Sequence, residues 1–343
     1  MAADRLLAAA RGLPVDRTPV WFMRQAGRSL PGYRGLRERY SLAEIVARPE
    51  LCAEVTLEPV RRLGVDAAVM FADIMLPLAG MGVEFELVDG VGPVIERPLR
   101  SPAGVDALRV PEGEEAAPAV MAAVRGVAAE SPVPLICFSG APFTLAAYLI
   151  EGGPSRDFQL TKRFMYQEQR AFDLLLEKLA RTMIGYLRAQ VAAGAAAVQL
   201  FDSWVGALSP ADYAATVLPH TRRIFEGLGD LGVPRIHFGT GTAGLLELIA
   251  GSGCDVVGLD WRIDLDAAWA RLRPNLAVQG NVDPAVLLGP PELIEARARA
   301  VLRAAGGRPG HIFNLGHGVL PETPLENLQR LVATVREWVP AHA

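Results

Sequence analysis

PVWFMRQAGRSLPGYR, from Pro19 to Arg34, is the stretch from which the rest of the chain is read. Val20 to Met23 is a short apolar run without a polar break, the pattern of a strand buried on both faces. It passes at once into Arg24, Gln25, Arg28 and Arg34, set among Gly27, Gly32 and Pro31. Guanidinium groups bind carboxylate or phosphate oxygens in bidentate fashion, so several of them beside one loop point to a polyanion. The competing reading is that these arginines tie to acidic residues on neighbouring helices.

The same unit, an apolar run with a helical stretch after it, recurs along the chain. After Val20 to Met23 come Ala67 to Phe71, Leu135 to Phe138, Ala196 to Phe201, Arg235 to Phe238, Asp255 to Leu259, Ala277 to Gln279 and His311 to Asn314. Helical spacing fills the gaps at Leu42 to Ala47, Leu51 to Leu63, Glu114 to Ala129, Arg156 to Ala193, Ala243 to Ala250, Leu265 to Leu272 and Leu325 to Trp338. Ser41 and Pro49 are start signals for the first two. Eight apolar strands alternating with helices predict a parallel (β/α)₈ TIM barrel, with a doubly wound open sheet as the alternative. Gly82 to Leu99 alternates on both sides of Asp89-Gly90 and predicts a β-hairpin inserted after the second strand. No Pro/Ser-rich linker or internal repeat divides the chain, so residues 1 to 343 are expected to form a single barrel domain.

Composition sets further bounds. The chain has 343 residues, 51% of them apolar and 21% charged, which is the range of folded globular proteins. A net charge of −4 argues against general nucleic-acid binding while leaving room for a local basic pocket. Cys52, Cys137 and Cys254 lie far apart with no CxxC spacing, as expected of free thiols in a reducing cytoplasm. The apolar stretch in MAADRLLAAARGLPVD is too short and too charged for a signal peptide, and no run approaches the ~20 apolar residues of a membrane span.

In a barrel of this kind the site is built at the carboxyl ends of the strands. Arg24 follows the first run, Asp73 the second, Ser139 the third, Asp202 and Ser203 the fourth, and Gly316-His317-Gly318 the eighth; Tyr148 lies just beyond the third. Each has a plainer reading. Asp73 and Ser203 could cap helices, Tyr148 is at helical spacing from Thr144 and could be a core residue, and His237 fits a hydrogen bond within the barrel core. His317, flanked by glycines, fits a functional backbone turn. HFGTG, His237 to Gly241, has neither a full GxGxxG nor a Walker lysine.

FMRQAGR (Phe22 to Arg28), FADI (Phe71 to Ile74), GAPFTLAAYLIEG (Gly140 to Gly152), QLFDSW (Gln199 to Trp204) and FNLGHG (Phe313 to Gly318) together resemble the uroporphyrinogen decarboxylase family, in the family's order and over almost the whole chain. The resemblance implies a cofactor-free, homodimeric (β/α)₈ enzyme that converts the four acetate side chains of uroporphyrinogen III to methyl groups, giving coproporphyrinogen III. It implies that Arg24 and Arg28 bind substrate carboxylates, that Gln25 between them is substrate-binding and that Asp73 receives the pyrrole N–H groups. It also implies that Tyr148, Ser203 and His317 contact the carboxylates or the ring, with Asp73, Arg24 and Tyr148 catalytic. The chemistry suits these residue types. Eight carboxylates need an arginine rim, and one carboxylate offers about four acceptor sites to a domed ring of N–H donors. Arg24 is expected to position the reacting acetate; as a proton donor a guanidinium is poor. Ser29, Gly32 and Phe143 depart from the family pattern, at positions expected on the rim.

Two other functions compete. Corrinoid-dependent methyltransferases of the same superfamily use a zinc site of His and Cys ligands, but His237-Phe238-Gly239 has glycine where a His-x-Cys pair is expected, so no metal is expected. The other alternative is a tetrapyrrole carrier with the same pocket and no activity.

Overall fold

The computed structural model describes residues 5–88 and 90–339. Among them, seven parallel strands form one sheet: β1 (Ala68–Val69), β4 (Leu135–Gly140), β5 (Ala197–Asp202), β6 (Arg235–Gly239), β7 (Val256–Gly258), β8 (Ala277–Val282) and β9 (His311–Leu315), neighbours in that order. β2 (Phe85–Val88) and β3 (Gly92–Ile95) pair antiparallel as the expected hairpin, with Phe85 opposite Ile95 and Val88 opposite Gly92. The Asp89 half of the expected turn lies outside the described residues.

The eighth barrel position belongs to Val20 to Met23, which is a single bridge rather than a regular strand. Val20 bridges Phe313 in parallel, the Trp21 N–H donates to the Phe313 carbonyl and the Phe313 N–H to that of Pro19. On the other side the Asp66 N–H donates to the Val20 carbonyl. Side chains take the remaining N–H groups: Val20 donates to Asp66 Oδ2 (2.9 Å), Phe22 to Gln25 Oε1 (2.9 Å) and Met23 to Asn314 Oδ1 (3.2 Å). Because buried N–H groups must be satisfied, these three acceptors replace a ladder and the barrel closes without one. Asp66, 6% exposed, also receives Arg5 (2.8 Å) and both Nη atoms of Arg17 (2.8 Å). The closing edge is therefore anchored by one carboxylate.

The barrel interior is packed, as in other barrels of this class. Trp21 Nε1 donates to Gln279 Oε1 (3.2 Å) and Gln279 Nε2 to Gln199 Oε1 (3.1 Å), a polar bar from the closing segment through β8 to β5. Outside the sheet, the helix Pro49–Leu63 begins at Pro49 and stops at Gly64, which adopts φ 69°. Ser41 and Glu44 form the capping box of the helix Leu42–Val46. The predicted helix Arg156 to Ala193 is two, Gln159–Gln167 and Gln169–Ala192, and Leu325–Arg336 follows β9. Cys52, Cys137 and Cys254 are buried free thiols, and no described helix is long and apolar enough to cross a membrane.

Candidate active site at the carboxyl ends of the strands

Arg24 and Arg28 leave the closing segment in a backbone that L-residues rarely adopt, with φ 60° and 40°. Such strain persists only where the surroundings impose it, and it gathers at functional sites. Here it turns both side chains out of the barrel wall. Arg24 is exposed and Arg28 half-buried. Among the described residues neither has a carboxylate within ion-pair distance, whereas Arg188, Arg235 and Arg271 each grip one. Arg34 instead donates to the carbonyls of Arg28 and Pro321. Burial and the neighbouring charge of Arg24 push Arg28 down to about 10. Two guanidinium groups with no carboxylate partner among the described residues offer donors of the kind that bind anionic oxygens.

Asp73 follows β1 by four residues and is half-buried. Its Oδ1 accepts the Met75 N–H (2.8 Å) two residues on, in a turn that precedes the helix Leu76–Gly80; the N-cap of that helix is Met75, so Asp73 does not cap it. The other has no partner among the described residues. Burial raises the carboxyl pKa, opposed by the Met75 hydrogen bond and by the charge of Arg24. Tyr148 stands on the helix Pro142–Glu151, which starts at Pro142 and ends at Gly152 with φ 89°. Burial, reinforced by the Asp73 charge, pushes its phenol up to about 12, with Arg24 opposing. Arg24, Asp73 and Tyr148 thus share one electrostatic environment, from three different strand ends.

His317 follows β9. Burial, then the charges of Arg24, Arg28 and Arg262, push it down to about 4 against Asp260, so at neutral pH it offers one N–H and one acceptor nitrogen. Its flanking glycines have a packing reason. A Cβ on Gly318 would lie 2.4 Å from Arg24 Cδ, and one on Gly316 would lie 2.4 Å from the Trp261 nitrogen. Neither has a positive φ, so the residues are small because neighbours approach, and no special turn is involved. Ser203, just past β5, is half-buried; its hydroxyl caps no helix, a task that falls to Ser209.

Gln25 behaves differently from the expectation. It is 1% exposed, Oε1 accepts from Phe22 and Nε2 donates to the Ala67 carbonyl (2.9 Å), which ties the closing segment to the β1 side and points the amide into the packing. Ser29 and Phe143, expected on the rim, are 5% and 0% exposed and belong to the packing. Asp202, also after β5, is fully buried; Oδ1 accepts from Thr144 Oγ1 (2.9 Å), which in turn accepts from the Trp204 N–H (3.3 Å). His237 lies in the core, with Nδ1 3.3 Å from Ser252 Oγ and Nε2 3.5 Å from Asp202. Among the described residues no group of three His, Cys, Asp or Glu is placed to hold a metal ion.

Two features escaped the sequence reading. Trp204 stacks on Tyr148 with ring centroids 3.9 Å apart, adding an aromatic wall between β4 and β5. Asp260 and Arg262, after β7, belong to the mouth as well, and the polar residue directly after the run ending at Leu259 was the available signal. At the opposite end of the barrel a cavity of about 550 Å³ opens beside Arg11, Arg235 and Asp255; that face carries the amino ends of the strands, away from the residues above.

A family model described as uroporphyrinogen decarboxylase (URO-D) matches residues 1–338. The chain belongs to the uroporphyrinogen decarboxylase family. Two curated members show how close the relation is. The uroporphyrinogen decarboxylase of Thermus thermophilus is 57% identical over 335 residues, covering 97% of this chain and 98% of its own. That of Chloroflexus aurantiacus is 55% identical over 346 residues, covering 99% and 98%. Among solved structures, a methyltransferase from Methanosarcina mazei superposes with a TM-score of 0.81 at 22% identity, covering 98% of each chain. A B12-independent methionine synthase from Shewanella sp. W3-18-1 gives 0.55 at 12%, covering 87% of this chain and 90% of that one. These two likenesses concern the barrel fold alone.

Proposed function

We propose that this chain decarboxylates the four acetate side chains of uroporphyrinogen III to methyl groups, giving coproporphyrinogen III without a cofactor. The observation that carries the reading is the pair of guanidinium groups without a carboxylate partner among the described residues, Arg24 and Arg28, beside one half-buried carboxylate, Asp73, at adjacent strand ends. Arg24 and Arg28 bind peripheral carboxylates, and Asp73 accepts hydrogen bonds from the inward pyrrole N–H groups. Protonation of a pyrrole carbon makes the ring an electron sink. The bond to the carboxyl carbon then breaks, its electron pair enters the ring, and CO₂ leaves. A proton added to the exocyclic carbon completes the methyl group while the ring proton is lost. The Asp73 carboxylate stabilises the cationic ring, a preorganised electrostatic contribution of the kind that dominates many enzymes. Burial alone disfavours that anion, and four N–H donors with a ring cation restore it. Tyr148, protonated and stacked on Trp204, donates its O–H toward the substrate, with Ser203 and neutral His317 completing the polar lining. Gln25 is left out of this set because it is 1% exposed and its amide braces the closing segment.

The reading includes a single catalytic domain, a cytoplasmic homodimer and no metal. It is tested by anaerobic incubation with uroporphyrinogen followed by chromatography that separates products by carboxylate number. Stepwise loss from eight to four carboxylates is expected; substrate returned unchanged but bound would make the chain a carrier.

A further inference from the structure

Arg262 sits on the segment that follows β7 and is held more firmly than a rim arginine needs to be. Its Nη1 donates to Asp260 Oδ2 (2.6 Å), and its guanidinium carbon lies 4.0 Å from the centre of the Trp261 ring. Asp260 is 1% exposed and has other donors of its own, the N–H groups of Gly241 (2.5 Å) and Arg262 (3.1 Å). Asn281 Nδ2 ties the segment to β8 through the carbonyls of Asp260 (2.9 Å) and Ile263 (2.7 Å), and Gly316 leaves room for the Trp261 backbone. The segment is thus fixed from β6, β8 and β9. The Arg262 side chain remains 50% exposed, and one edge of its guanidinium carries donors with no described partner. A side chain clamped on one edge and open on the other loses little entropy on binding an anion.

Its position matters as much as its rigidity. Around the closed barrel β7 is four positions from β1, so Arg262 faces Asp73 across the mouth, while Arg24 and Arg28 are next to Asp73. It is close enough to His317 for its charge to help hold that histidine neutral. A macrocycle with carboxylates on its whole perimeter, centred on Asp73, needs a cation on this far arc as well.

We propose that Arg262 is a further substrate-binding residue, holding a peripheral carboxylate of the polycarboxylate macrocycle on the side of the mouth away from Arg24 and Arg28. The proposal rests on the function given above, and two measurements keep the two apart. The first is equilibrium binding of oxidised uroporphyrin, an octacarboxylate, by fluorescence quenching on the full chain; the second is turnover of uroporphyrinogen. With Arg262→Gln, Kd for uroporphyrin and KM for uroporphyrinogen rise about tenfold, as for one charge-assisted hydrogen bond at a partly exposed site. The rise narrows with added salt, and Arg262→Lys recovers part of it. Asp260→Asn, which keeps the guanidinium but weakens its clamp, gives a smaller rise. Values within twofold of wild type for Arg262→Gln, or a loss that salt does not change and Lys does not relieve, would overturn the assignment. If wild type bound uroporphyrin but released no CO₂ from uroporphyrinogen, decarboxylation would fail as the function while the binding series still decided Arg262.

Discussion

The proposed reaction gives Asp73 and Arg24 different parts of the chemistry, and conservative changes separate them. Asp73→Asn keeps the shape and one acceptor oxygen but removes the charge facing the ring cation. Turnover should fall roughly 10²-fold or more, the cost of losing one preorganised electrostatic group, with the thermal transition little changed. The test is kcat from product chromatography, and a kcat near wild type would remove the charge-stabilisation role. Arg24→Lys retains charge and loses the bidentate fork, so retained wild-type turnover there would make a specific guanidinium role untenable. Their positions after the first and second apolar runs singled out both residues as candidates in the sequence. The burial of Gln25 was not legible, because a glutamine between two arginines looks the same in sequence whether it turns outward or, as here, bonds the backbone of Phe22 and Ala67.

At the scale of an element, the segment after β9 shows how glycines with one apparent purpose have two. Gly316 makes room for backbone, at Trp261 and Asp260, whereas Gly318 makes room for the stem of Arg24. Backbone yields less readily than an exposed side chain. Gly316→Ala should therefore lower stability by about 1–3 kcal/mol, the range for overpacking, read from denaturant midpoints. Gly318→Ala should leave the midpoint within about 0.5 kcal/mol and lower kcat/KM at least tenfold by displacing Arg24 from its strained position. Equal effects of the two on stability would contradict this division. The FNLGHG motif marked the segment as important, but which neighbour each glycine meets depends on chain some 60 residues away in one case and 300 in the other.

The whole molecule depends on closure at Asp66, which joins Arg5, Arg17 and the Val20 N–H at the seam between β1 and the first apolar run. Asp66→Asn takes the carboxylate partner from Arg17 and leaves Arg5 to Asp16 alone, and a loss of about 3 kcal/mol in unfolding free energy, the lower end for breaking a buried pair, is expected, measured by chemical denaturation; a loss under about 1 kcal/mol would show that backbone pairing alone closes the barrel. Eight apolar runs, their order and the polar residue after most of them were legible in the sequence, because strands buried on both faces are uniformly apolar and a parallel barrel puts every loop of one kind at one end. The same uniformity conceals which way a side chain points: without alternation, nothing in the sequence shows that Asp202 is fully buried against Thr144 while Asp73 is only half-buried. By itself the sequence determined the family, the barrel and the identities of Arg24, Arg28, Asp73, Tyr148, Ser203 and His317 as candidates. Only the tertiary structure decided that Gln25 is a brace, that Trp204 backs Tyr148 and that Arg262 stands across the mouth from Asp73, because those relations arise from packing between segments far apart in the chain.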